Sequence, residues 1–137
     1  MNPLEIDESG APDRGGVMTS PEPWPTEIRL DAEKRNLTVA FDTGEAYTLA
    51  AEMLRVMSPS AEVQGHTAAQ RVTVPGKRNV KIREVVPVGN YAVQIIFDDG
   101  HSTGFYRWSY LADLGRNRDA HWQAYEAELA GKGLTRG

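Results

Sequence analysis

Two stretches of this chain carry one pattern, 56 positions apart: Leu37-Thr38-Val39-Ala40-Phe41-Asp42-Thr43-Gly44 and Val93-Gln94-Ile95-Ile96-Phe97-Asp98-Asp99-Gly100. In each, apolar residues recur at every second position and end on Phe-Asp-x-Gly. A period of two buries one face of a strand, and Asp-x-Gly supplies a tight turn whose glycine tolerates a positive φ. A short strand follows each turn, and then a helix. The first helix is marked by Ala50, Leu54 and Met57 at i, i+4, i+7 and is closed by Ser58-Pro59; the second begins near Tyr106 and carries Trp108, Leu111 and Ala112. The chain therefore reads as two strand–turn–strand–helix units in succession. Common turn chemistry alone can also produce the likeness, and both explanations stay open. Either way the expected class is α+β, with a mainly antiparallel sheet and helices on one face.

The rest of the chain fits around these units. Ile28 and Leu30 alternate with polar residues, and Asp31 to Asn36 turns towards Leu37. Residues 58–79 hold Pro59, Gly65, Pro75 and Gly76 and read mainly as loop. Strand character resumes at Val80 and Ile82 and runs to Val88, with Gly89-Asn90 as a hairpin turn before Tyr91 to Phe97. Gly115 suits a helix C-cap. Trp122, Tyr125 and Leu129 mark a C-terminal helix ending near Gly131.

Charge divides the chain. Residues 1–23 hold Pro3, Pro12, Pro21 and Pro23, with Gly10, Gly15 and Gly16, and set Glu5, Asp7, Glu8, Asp13 and Glu22 against Arg14. That balance of −4 equals the charge of the whole chain, so residues 24–137 are neutral. Without aromatic residues the segment cannot offset its chain entropy by burial, so a disordered acidic tail is expected over 1–23. A single domain is expected over 24–131, and a flexible end over 132–137. A neutral domain argues against broad electrostatic binding to nucleic acid or anionic membrane. The absence of cysteine removes disulfides and thiolate metal sites. No run approaches 18 apolar residues and no basic-then-apolar leader opens the chain, so the cytoplasm is the expected location.

Candidate chemistry is sparse. His66, His101 and His121 stand at no metal-ligand spacing. Asp98, Asp99 and His101 share one hairpin, where a carboxylate beside an imidazole can tune a general base. The plainer reading, preferred here, has the two aspartates serving the turn and His101 capping a strand edge. No Gly-x-Ser-x-Gly elbow or phosphate-binding glycine loop is present. Arg71, Lys77, Arg78, Lys81 and Arg83 form a local basic cluster with no acid before Glu84. It suits contact with an acidic partner, or simply a solvated strand face that discourages edge pairing. Trp108 is a core candidate, whereas Tyr106 and Tyr110 are candidates for an exposed recognition surface.

Five segments carry a resemblance. Pro25-Thr26-Glu27-Ile28-Arg29-Leu30, Phe41-Asp42-Thr43-Gly44, the run from Leu54 to Val63, Pro87 to Val93, and Phe97-Asp98-Asp99-Gly100-His101 resemble the gamma-butyrobetaine hydroxylase-like N-terminal domain family. In the oxygenases that name the family, the resemblance implies a domain preceding a separate catalytic domain. It also resembles a domain attached to P-loop iron–sulfur cluster carrier ATPases. The oxygenase version holds zinc through a Cys-x-Cys-x-x-Cys run and the histidine of a Gly-His pair. Those positions fall here on Ser58, Ser60, Val63 and His101, so no zinc and no other cofactor is expected.

The expectation is a non-catalytic accessory domain that binds a protein, linked to iron–sulfur protein maturation by family association. Its partner would be a cluster-carrier ATPase or a client. The alternative is a small-ligand binder or cryptic enzyme built on Asp98, Asp99, His101 and Tyr106.

Overall fold

The computed structural model of the protein describes residues 23–65 and 71–137. Most of the tail expected over 1–23, and His66, lie outside the described residues. Strands β1 (Pro25–Leu30), β2 (Asn36–Phe41) and β3 (Ala46–Ala50) form one antiparallel sheet in that order. Helices α1 (Ala51–Val56) and α2 (Ala61–Gln64) follow. Strands β4 (Ile82–Val88), β5 (Ala92–Phe97) and β6 (Phe105–Arg107) form a second antiparallel sheet, also in chain order. Helices α3 (Trp108–Arg116) and α4 (Arg118–Gly131) complete the α+β fold. The strands thus divide into two three-stranded sheets.

The two units agree in detail. Asp42 N–H donates to the Trp24 carbonyl at 2.8 Å, and Trp24 N–H donates to Asp42 Oδ1 at 3.2 Å. Asp98 N–H donates to the Lys81 carbonyl at 2.9 Å, and Lys81 N–H donates to Asp98 Oδ1 at 3.1 Å. In both sheets one aspartate clamps the residue just before the first strand. Both first strands then bulge, between Pro25 and Glu27 and between Ile82 and Glu84. Gly44 and Gly100 adopt φ of 92° and 93°, the left-handed region the turns require. The shared sequence pattern is a shared structure.

The period-two pattern sends Leu37, Val39 and Phe41 inward from β2, and Val93, Ile95 and Phe97 inward from β5. These join Leu54, Leu111, Leu114, Tyr125 and Leu129 in one continuous apolar core. Each such buried side chain contributes about 1.5–3 kcal/mol of transfer free energy. Trp108 is buried at 4% exposure.

One local expectation is corrected. Gly115 lies inside α3 rather than capping it; a Cβ there would fall 2.2 Å from Tyr47 Cγ, so the glycine lets α3 approach β3. The segment read mainly as loop over 58–79 includes the single-turn helix α2, whose Val63 side chain is buried. Beyond α4, Gly76 N–H donates to the Thr135 carbonyl at 3.0 Å and Arg78 N–H to the Arg136 carbonyl at 2.9 Å.

Candidate functional site

The turn after β5 directs His101 inward. His101 N–H donates to Asp99 Oδ1 at 3.0 Å, and its carbonyl accepts from Phe97 N–H at 2.9 Å. The imidazole is buried, with 4% of the side chain exposed. The chain leaving α1 brings Ser58 and Ser60 to it. Ser58 Oγ lies 2.9 Å and Ser60 Oγ 3.4 Å from His101 Nε2, while Glu62 Oε1 lies 3.1 Å from Nδ1. Burial, and then the positive charge of Arg55, lower the His101 pKa against the opposing pull of Glu62 and Asp99. A carboxylate can only accept, so in the neutral ring Nδ1–H donates to Glu62 and Nε2 is left to accept a hydrogen bond from the Ser58 hydroxyl.

Asp99 anchors the second half of the cluster. Its carboxylate accepts from Arg55 Nε at 2.8 Å and pairs with Lys77 Nζ at 2.7 Å. Burial alone would raise its pKa, but bonds from Lys77, the His101 backbone and Arg55 outweigh that and hold it well below the usual carboxylate range. Tyr106 packs beneath. It faces inward between exposed Phe105 and Arg107, is fully buried, and donates to the Leu54 carbonyl at 2.5 Å. The expectation of Tyr106 on an exposed surface is therefore corrected. Alternation along β6 turns it inward, and burial pushes its phenol pKa up. Tyr110 is half-buried; its hydroxyl donates to the Met57 carbonyl at 2.5 Å, and burial pushes it up to about 12. His101 likewise lies inside the fold rather than capping an exposed edge.

The order Ser58–His101–Glu62 is that of a nucleophile, a base and an orienting acid. Ser58 is nevertheless 0% exposed, and a Cβ on Gly104 would come within 2.5 Å of its Oγ. The hydroxyl is packed against backbone, and in this arrangement it holds α1 to the second turn. The positions that the resemblance matched to zinc ligands do converge, since Ser58, Ser60 and His101 share one hydrogen-bonded cluster. Their chemistry does not fit that ion: two neutral hydroxyls already bond the imidazole, and Val63, 2% exposed, offers only hydrocarbon.

The basic cluster divides in two. Arg71 pairs with Glu128 of α4 and Lys77 with Asp99, so both are spent inside the fold. Arg78, Lys81 and Arg83 remain exposed, Arg83 at the bulge of β4, while Val80 and Ile82 are buried beside them. Asp98 is exposed at the turn, where its carboxylate serves Lys81 N–H.

Two features were not singled out from the sequence. Tyr91 is 42% and Phe105 49% exposed, and the Arg107 guanidinium lies 5.2 Å from the centre of the Tyr91 ring. Alternation along β6 could have placed Phe105 outward. A groove of about 440 Å³ opens beside β3, lined among others by Thr48, Glu52, Met53, Trp122 and Arg136. None of its lining residues belongs to the His101 cluster. No signal in the sequence marked it, because its walls come from four separate segments. Among the described residues no helix is long and apolar enough to cross a membrane.

Comparison with known proteins places this architecture. No curated protein matches the chain. One solution structure is 43% identical, covering 85% of this chain and 91% of its own, with a TM-score of 0.73; a second is 42% identical, covering 93% and 91%, with a TM-score of 0.72. A crystal structure from Acidithiobacillus ferrooxidans, of a protein of unknown function in the DUF971 family, is 44% identical. It covers 66% of this chain and 90% of its own, with a TM-score of 0.54. The family described as gamma-butyrobetaine hydroxylase-like, N-terminal matches residues 28–112, which hold both sheets apart from the first residues of β1, together with the His101 cluster. With most of the chain inside that match, the protein belongs to the gamma-butyrobetaine hydroxylase-like N-terminal domain family.

Proposed function

We propose that this protein is a non-catalytic accessory domain that acts by binding another protein in the cytoplasm. The observation that carries the reading is the exposure of Tyr91, at the turn before β5, and of Phe105, on β6, each more than 40% exposed, with the Arg107 guanidinium over the Tyr91 ring. Aromatic residues and arginine are the side chains that most often anchor protein interfaces. The chemistry-bearing side chains nearby are committed to one another inside the fold, which supports a recognition role over a reactive one. Exposed Arg78, Lys81 and Arg83, at and before the start of β4, offer a separate positive surface for an acidic partner. Family association supplies the setting of iron–sulfur protein maturation, with a P-loop cluster-carrier ATPase or its client as the partner. Affinity capture with the full chain and with Phe105→Asp tests this. A partner of that class held by the first and lost by the second is expected; equal recovery on both overturns the reading.

A second reading, a small-ligand binder or enzyme on the Asp98–Asp99–His101 hairpin, draws on the Ser58–His101–Glu62 bond order. A fluorophosphonate probe that labels Ser58, but not in His101→Gln, supports it. Absence of label at Ser58 removes it.

A further inference from the structure

Glu52 poses a problem that the site above does not touch. It lies in the first turn of α1, and its side chain is 8% exposed, which is rare for a carboxylate without a cation beside it. The cation comes from residue 136, 84 positions along the chain. Arg136 Nε and Nη2 donate to Glu52 Oε2 and Oε1, each at 2.8 Å, so both carboxylate oxygens meet one edge of the guanidinium. The guanidinium carbon lies 5.2 Å from the centre of the Trp122 ring. Beyond the ring and the carboxylate, the groove of about 440 Å³ continues past Thr48, Met53 and Asp119.

This set of contacts reads as a recognition site already holding its ligand. A paired carboxylate edge and an aromatic face together select a planar, forked cation, and an ammonium satisfies only part of that geometry. The backbone on either side is held as a peptide would be, by Gly76 N–H on the Thr135 carbonyl and Arg78 N–H on the Arg136 carbonyl. The segment bearing Arg136 leaves α4 through Gly133 at φ 68° and lies in neither helix nor strand.

We infer that Glu52 and the Trp122 ring, together with the Gly76 and Arg78 amides that hold the Thr135 and Arg136 carbonyls, form an arginine-specific peptide site beside this groove, filled in cis by Arg136 and able to take an arginine of a partner peptide when Arg136 is withdrawn. The inference is independent of the Tyr91 and Phe105 surface, and either can fail alone. The test uses full-length Arg136→Ala and a capped peptide of sequence Gly-Leu-Thr-Arg-Gly, followed by the NMR shift of the Trp122 indole. Arg136→Ala should bind the peptide at least tenfold more tightly than the unaltered chain, whose own arginine competes. A peptide with lysine in place of arginine should bind at least tenfold more weakly. Adding Glu52→Gln to Arg136→Ala should abolish binding. If Arg136→Ala does not fold, Arg136→Lys, which leaves Glu52 a cation without the fork, carries the same comparison. A folded variant that ignores the arginine peptide, or binds it equally after Glu52→Gln, overturns the inference.

Discussion

The turns at Asp42–Gly44 and Asp98–Gly100 follow equivalent strands, clamp equivalent points of their sheets and diverge only in what stands beside the aspartate and after the glycine. In the first turn Thr43 and Glu45 bond each other, and Glu45 reaches Tyr47 and Arg116 at the surface. In the second, Asp99 gathers Arg55 and Lys77 while His101 enters the interior to meet Ser58 and Ser60. One backbone solution thus carries a solvated ion pair in one copy and an enclosed polar cluster in the other. Both turns are completed from the opposite unit: Arg116 at the end of α3 serves the first, and Arg55 of α1 serves the second. The backbone device is local, whereas the side-chain chemistry depends on what the other half presents.

That comparison can be broken experimentally. Phe41 and Phe97 occupy matching, buried positions, so Phe41→Ala and Phe97→Ala should each cost about 3–5 kcal/mol in urea unfolding. A large loss in only one would show that the two sheets do not share the core equally. Asp99→Ala should cost about 2–3 kcal/mol, because it leaves half-buried Arg55 and Lys77 without their carboxylate. Thr43→Ala, at the equivalent place, should stay within about 0.5 kcal/mol; matching losses would erase the distinction between the turns. Gly104→Ala and Gly115→Ala place a methyl against Ser58 and against the root of the Tyr47 side chain, and each should cost about 1–3 kcal/mol. A neutral result at Gly115 would mean that α3 can withdraw from β3.

Acid should separate the turns by the smallest effect. The folded-state pKa of His101 is lowered, so the unfolded chain binds that proton first. Stability should therefore be full above the unfolded value of about 6.5 and fall as pH drops below it. Glu45 is held down to about 2 by bonds from Arg116, Tyr47 and Thr43, so its contribution is lost only as pH falls from its ordinary value of 4.5 through about 2. Urea midpoints at pH 7.5 and 5.5 should differ less in His101→Gln than in the unaltered chain. An unchanged difference would mean that His101 does not titrate in the folded protein as its burial requires.

Strand periodicity was legible because it is local. Leu37 to Phe41 and Val93 to Phe97 fold as their alternation dictates, and Asp-x-Gly marks both turns. The split into two sheets was not legible, since period two gives each strand a face but not its neighbours. Composition alone does not place Tyr106: an aromatic cluster carries no face, while alternation between Phe105 and Arg107 gives it one. Nearness in sequence makes the basic run look like one patch, but its members are divided by their partners. Arg71 is instead claimed by Glu128, 57 positions away. The His101 cluster was legible only through family resemblance, which brought Ser58 and Ser60 to the same place as the histidine.

The exchanged clamps also bear on how the molecule comes apart. A fragment ending after α1 would keep its sheet but lose Arg116 from its turn, and one starting at β4 would lose Arg55, Ser58 and Ser60. Neither half contains the means to finish itself. Opening one turn frees a side chain that the other unit was using, so damage at either end is felt at both. The chain should melt in a single step, and two fragments divided between the sheets should find each other and reassemble as a heterodimer.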